Sequence, residues 1–328
     1  MNRKILITGA AGKVGQNFIN HIKNNRKFNA DKIIALCHNR MVKEDDQINC
    51  VKGDISVETD VSNAMKGVTH VIHLATCKEV PKDVMDITVK GLFWLLEECR
   101  KSPTFQQFIL LGGDAGIGHC VYPNDKPLTE EYPHRAYPGC YALSKVLEEV
   151  MLNQYYIQYN LNGCCLRAPW IMEKDDFKMS LSFGDDAFGG PSWKDAVGAE
   201  KAVQYKKDKI IPVMLDEKGE PIKRNFVHVK DLVSAMGIAI DHPKAKQELF
   251  NICMNEPMDY KKMGEYLQES RGFDFLEIKM PCFSNWLDNS KAKFLLGWSP
   301  EYDLKKLVDD SFDYVRNESE ERVVFYPG

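Results

Sequence analysis

The sequence predicts an α/β fold in which a doubly wound parallel sheet is followed by a smaller C-terminal lobe. Three observations lead there. Short apolar runs alternate with amphipathic stretches through the first half of the chain, a glycine-spaced turn follows the first apolar run, and the alternation lapses between Trp170 and about Arg224. A length of 328 residues fits one large domain with an appendage, or two domains. Apolar residues make up 44% and charged residues 27%, an ordinary globular mixture. The net charge of −4 offers no electrostatic case for nucleic acid or an anionic membrane as a partner.

Taken in order, residues 4–8 read as the first strand. The helix after it spaces Val14, Phe18 and Ile22 four apart, so one stripe faces a core. Further strands are expected over 33–36, 48–51, 68–74 and 108–111. A helix over 89–99 carries Leu92, Leu95, Leu96 and Cys99 on one side. Pro138-Gly139 breaks the chain before a long helix over 141–159, whose expected buried stripe is Leu143, Leu147, Val150 and Met151. Residues 164–166 read as the next strand. The turn Asp216-Glu217-Lys218-Gly219 then separates strands near 210–215 and 226–229. The sheet domain is expected to span 1–169 with a strand and helix returning at about 224–252, and the second lobe to span 170–223 and 253–328. Apolar runs are far too short to cross a membrane, and residues 1–4 lead at once into a strand, so a cytoplasmic protein is expected. The 10 cysteines show no CxxC pair, so no metal site is expected.

The first turn reads Thr8-Gly9-Ala10-Ala11-Gly12-Lys13-Val14-Gly15. Strand, glycines and helix in that order form the phosphate-binding device of a Rossmann sheet. Glycines permit the sharp turn and close approach of a pyrophosphate, and the helix start offers free N–H groups. Gly9, Gly12, Lys13, Val14 and Gly15 are therefore the first cofactor-binding candidates. The second strand ends in Cys37-His38-Asn39-Arg40, with no carboxylate before Glu44. An acid there would hold the ribose of NAD, whereas Arg40 and His38 could pair with a 2′-phosphate. NADP is expected, with NAD as the alternative if Asn39 or backbone groups hold the ribose.

Tyr141 and Lys145 stand at i and i+4, on one helix face. An ammonium beside a phenol stabilises the phenolate, and the phenol can then exchange a proton with an alcohol or ketone. Together with Gly53-Asp54-Ile55, His73-Leu74-Ala75-Thr76, the run Arg224 to Asp231 (RxFxxVxD) and the run Lys291 to Pro300 (KAxxxLGWxP), this chain resembles the extended short-chain dehydrogenase/reductase family. That family includes sugar-nucleotide epimerases and dehydratases. The resemblance implies that Asp54 and Ile55 contact adenine and that Leu74, Ala75 and Thr76 lie along the cofactor. It also makes Tyr141 and Lys145 catalytic and points to a homodimer built on the YxxxK helix and its neighbour.

One departure stands out. The family carries Ser or Thr at the end of the fifth strand, where this chain has Gly113 followed by Asp114. Asp114 could supply the missing hydrogen bond, or it could cap the next turn; water or a substrate group could fill the gap instead. Arg224 could hold a substrate phosphate or the carboxylate of a sugar acid, or form a salt bridge between lobes. Asp176, Trp193 and Arg135 are further substrate-side candidates, with a core position the other reading of Trp193. The expected activity is oxidation or epimerisation of a secondary hydroxyl of a sugar, sugar acid or nucleotide sugar. A cofactor-binding regulator with weak turnover is the alternative.

Overall fold

The computed structural model describes residues 3–29, 31–185, 190–317 and 320. Seven strands form the main sheet: β1 (Lys4–Thr8), β2 (Lys32–Cys37), β3 (Ile48–Lys52), β4 (His70–His73), β5 (Gln107–Gly113), β6 (Gly163–Ala168) and, after four shorter or separate strands, β11 (Glu248–Asn251). The order is β11-β6-β5-β4-β1-β2-β3, and each neighbouring pair is parallel. The order reverses between β4 and β1, which opens a crevice above their C-terminal ends.

Helices α1 (Lys13–Asn24), α2 (Glu58–Ala64), α3 (Pro81–Val84), α4 (Gly91–Lys101) and α5 (Cys140–Tyr159) serve the first half of the chain. The rest holds α6 (Asp176–Ser180), α7 (Trp193–Val197), α8 (Ala199–Lys207), α9 (Val229–Ala239), α10 (Tyr260–Arg271) and α11 (Leu304–Asp313). Alternation along β1 sends Ile5 and Ile7 to one side, where Phe18, Ile22, Leu232 and Met236 meet them. Leu6 faces the other side, with Leu92, Leu95 and Leu96. Each such fully buried side chain is worth about 1.5–3 kcal/mol relative to exposure, so the two faces hold the sheet between helical layers.

The second lobe has its own core, including Phe177, Trp193, Phe226, Tyr260 and Met263. Strands β8 (Ile210–Leu215) and β13 (Asp274–Lys279) run parallel, and β9 (Lys223–Arg224) pairs antiparallel with β12 (Met258–Asp259). Strands β7 (Trp170–Met172) and β10 (Phe226–His228) pair in parallel. No helix among the described residues is long and apolar enough to cross a membrane.

Two sequence expectations need correction. β4 is shorter than 68–74: the Val68 N–H bonds back to the Met65 carbonyl at 3.0 Å, and the Leu74 N–H donates to the Thr8 hydroxyl at 3.1 Å instead of continuing the ladder. The buried face of α5 is also not the expected apolar stripe but a mixed one that includes Leu152 and Tyr155. Leu143 is 50% and Val150 41% exposed, whereas Ala142, Ser144, Lys145, Glu148 and Glu149 are buried. This helix packs beside the polar end of the sheet, so its charged residues turn inward and find partners there.

Candidate active site

The phosphate turn is built around contacts no side chain could share. Gly9 has φ +64°, and a Cβ there would stand 2.9 Å from the Ala75 nitrogen. A Cβ on Gly15 would stand 2.5 Å from the Gly9 carbonyl oxygen. Gly12 precedes α1 with no side chain capping the helix, so the first amides there remain open to an anion. Val14 is buried under the turn, and Lys13 reaches the second lobe, its Nζ 2.5 Å from Asp176 Oδ2 and 3.2 Å from the Ile171 carbonyl. Thr8 ties the turn to the next strand. Its hydroxyl accepts from Leu74 N at 3.1 Å and Ala75 N at 3.2 Å, so its hydrogen goes to His73 Nδ1 at 2.8 Å. Thr76 follows, half-buried. A cradle that a single Cβ would fill, under an uncapped helix, fits the pyrophosphate of a dinucleotide.

At the end of β2, His38 and Asn39 are exposed and Arg40 is half-buried. His38 Nε2 lies 3.7 Å from Asp54 Oδ2. Burial would raise the Asp54 carboxyl, but hydrogen bonds from Ser56, with the charges of His38 and Lys90, outweigh it and hold it below its ordinary value. Ile55 is buried, and a Cβ on Gly91 would press to 3.0 Å from its side chain. These groups share the strand ends where an adenosine would lie.

Tyr141 and Lys145 leave α5 toward the end of β5, with Lys145 Nζ 5.6 Å from the Tyr141 ring centroid. Lys78 Nζ sits 4.2 Å over the same ring. Lys145 is buried and pairs with Glu148 Oε2 at 2.7 Å. Burial would lower the lysine, yet the charges of Glu148 and Tyr141 outweigh it, so the ammonium persists. His73 Nε2 faces the other Glu148 oxygen at 4.0 Å. Burial, aided by the Lys145 charge, lowers His73 to about 3, so the ring is neutral. Gly113 is extended (φ −146°, ψ 147°). A Cβ built on it would lie 3.5 Å from Tyr141 Oη and 3.5 Å from Lys145 Cδ, ordinary contact distances. The place of the absent hydroxyl is therefore beside the phenol, and it has room for one.

Asp114 does not fill that place. Its Oδ2 accepts from His119 Nδ1 at 2.6 Å, and His119 Nε2 meets Arg224 Nη2. Burial would raise the Asp114 carboxyl, but His119, Arg224 and Arg167 outweigh it and keep the group ionised. The guanidinium of Arg224 lies 4.5 Å over the Trp170 ring. Trp193 is a core residue, 1% exposed, with its indole N–H donating to the Ser180 carbonyl at 2.7 Å; its ring is not presented to a substrate. Arg135 is exposed and stacks 3.9 Å over Tyr122, and Asp176 is occupied with Lys13. Glu148, Lys78 and His119 carry no motif signal, and only the fold brings them to the site.

The family model for the NAD dependent epimerase/dehydratase family matches residues 5–172. A putative UDP-glucose 4-epimerase of Methanocaldococcus jannaschii is 26% identical over 330 residues, covering 95% of this chain and 98% of that protein. The structure of a short-chain dehydrogenase/reductase superfamily protein from Agrobacterium tumefaciens with bound NAD superposes with a TM-score of 0.76. Its identity is 18%, over 94% of this chain and 96% of that one. A UDP-glucose 4-epimerase from Thermotoga maritima, solved with UDP-glucose, superposes with a TM-score of 0.71 at 22% identity, over 95% of this chain and 98% of that one.

Proposed function

The chain belongs to the NAD dependent epimerase/dehydratase family, and from that premise we propose that it acts on a secondary hydroxyl of a nucleotide-linked sugar or sugar acid. The observation that carries this reading is the buried Lys145 ammonium beside Tyr141, at the mouth of the crevice where β5 ends. Tyr141 takes the proton of the substrate hydroxyl and returns it on reversal. Lys145 stabilises negative charge developing on the phenol oxygen, and Glu148 holds the ammonium in place. The turn from Gly9 through Gly15 would hold the pyrophosphate, with Asp54 and Ile55 at the adenosine. A nicotinamide dinucleotide bound there supplies the hydride acceptor and donor. The names of the Methanocaldococcus and Thermotoga proteins support a UDP-linked sugar, and Arg224 is the residue of this chain suited to its diphosphate.

His38, Asn39 and Arg40 suggest NADP. The Asp54 carboxylate, 3.7 Å from His38, would repel a 2′-phosphate, and the Agrobacterium neighbour carries NAD, so NAD is the proposed cofactor and NADP the other outcome of a titration. Gly113 favours a second reading, a dinucleotide-binding regulatory protein with weak turnover, because position 113 offers no second hydroxyl beside the Tyr141 phenol. Tyr141→Phe separates the two. Turnover of UDP-glucose or UDP-glucuronate should fall at least about 100-fold while dinucleotide affinity stays within about threefold. Turnover unchanged in the variant sinks the role given to Tyr141, and a wild-type protein that binds dinucleotide without turnover supports the regulator.

A further inference from the structure

We propose that Asp114 and His119 form a positioning dyad for Arg224, setting its guanidinium to receive the diphosphate of the substrate. This rests on the proposed function and assigns a role to two residues that hydride transfer does not use. The hydrogen bonds fix the roles of the atoms. Asp114 Oδ2 accepts the Nδ1 hydrogen of His119 at 2.6 Å, which leaves Nε2 as an acceptor for Arg224 Nη2. Trp170 bears on the face of the guanidinium at 4.5 Å, and Phe226 lies 5.6 Å from it. With one edge held by His119 and one face by Trp170, the plane of the fork is set before a ligand arrives.

A second observation points to an anion. Among the described residues, Arg224 Nε and Asn285 Nδ2 are buried donors with no acceptor. Arg224 and Asn285 are bridge partners, so their side chains leave the same face. Two buried donors aimed from one face suit the oxygens of a phosphate. The backbone around His119 is shaped for its task. Gly118 and Cys120 have φ +84° and +53°, and a Cβ on Gly118 would stand 2.3 Å from the Tyr122 ring. A left-handed non-glycine residue at such a turn is kept only where surrounding structure imposes it. Here the Phe283 N–H holds the Cys120 carbonyl at 3.0 Å.

The test is a double-mutant cycle read on UDP binding by calorimetry and on steady-state kinetics with a UDP-sugar. His119→Ala and Asp114→Ala should each weaken UDP and raise KM about tenfold, with kcat altered less than threefold. His119→Gln, which still offers an acceptor to Arg224, should recover most of the loss. In an Arg224→Ala background, His119→Ala should cost nothing further, because the dyad acts through the arginine. Additive losses, a fall in kcat alone, or UDP affinity unchanged by His119→Ala would each overturn the dyad while leaving the proposed function standing. A wild-type protein that binds dinucleotide but not UDP overturns both.

Discussion

Gly113 is the residue at which the proposed chemistry is most directly tested. A Cβ there meets Tyr141 Oη and Lys145 Cδ at ordinary contact distance, in an extended backbone that any residue adopts. Gly113→Ser should therefore fold without strain and place a hydroxyl beside the phenol. A positioned donor to the reacting oxygen is worth about 100-fold or more where it has been removed from other enzymes. A gain of about tenfold in kcat, with dinucleotide affinity unchanged, is the expected result in steady-state assays. A fall in kcat would show that the open slot serves the substrate itself. The missing hydroxyl was legible from the register of the fifth strand. The room beside it was not, because that room depends on two side chains about thirty residues further along. Asp114 illustrates the same limit. From sequence Asp114 could be read as supplying the missing hydrogen bond, yet its carboxylate accepts from His119 and through it meets Arg224, 105 residues beyond that histidine.

At the scale of elements, α5 decides most. Its periodicity was legible as a helix, and Tyr141 and Lys145 as neighbours on it. Which face is buried was not legible, because the apolar spacing of Leu143, Leu147, Val150 and Met151 outweighs charged residues such as Glu148 and Glu149 until their partners are known. Lys145 and Glu148 pair with each other and Ser144 donates to the Tyr141 carbonyl, whereas the partners of Glu149 come from a distant strand and loop. Arg167 on β6 grips Glu149 at 2.7 and 3.0 Å, and His134 adds 2.9 Å. Turning that polar face inward leaves Leu143, Val150 and Ile157 outward on α5, 50, 41 and 69% exposed, with Phe93 on α4 39% exposed. Exposed apolar side chains on two packed helices support the homodimer proposed for this chain, with α4 and α5 of each copy forming a four-helix contact. Leu143→Glu combined with Val150→Glu should yield a monomer in sedimentation equilibrium with its melting profile still cooperative. A wild-type protein that sediments as a monomer refutes the arrangement.

At the scale of the molecule, two lobes share one seam, and the sheet buries an acid-sensitive centre. Lys13 with Asp176, and Asn17 with Glu173 at 2.8 Å, join the phosphate turn to the second lobe, so the proposed dinucleotide and substrate sites would rest on contacts between them. The centre is His73, buried between Thr8, Phe108 and Glu148, and lowered to about 3 by burial and by Lys145. An unfolded chain would protonate this ring near 6.5, whereas the folded chain resists to about 3. The unfolded state then binds more protons across that window, so the stability tied to His73 is complete above pH 6.5 and is lost as pH falls toward 3. Between pH 7 and pH 5 the loss from this residue alone is about 2 kcal/mol. Glu148, raised chiefly by burial, acts in the opposite sense, and His228, His70 and His21, each lowered chiefly by burial, act in the same sense, so the raw pH profile mixes them all. A difference measurement isolates the histidine. His73→Asn offers Thr8 an amide in place of Nδ1 and carries no titrating group. It should be less stable than wild type at pH 7.5 because it leaves a cavity in a full core, and that deficit should shrink by about 2 kcal/mol at pH 5 in urea unfolding. A deficit equal at both pH values would mean that His73 is not the group through which acid loosens the sheet.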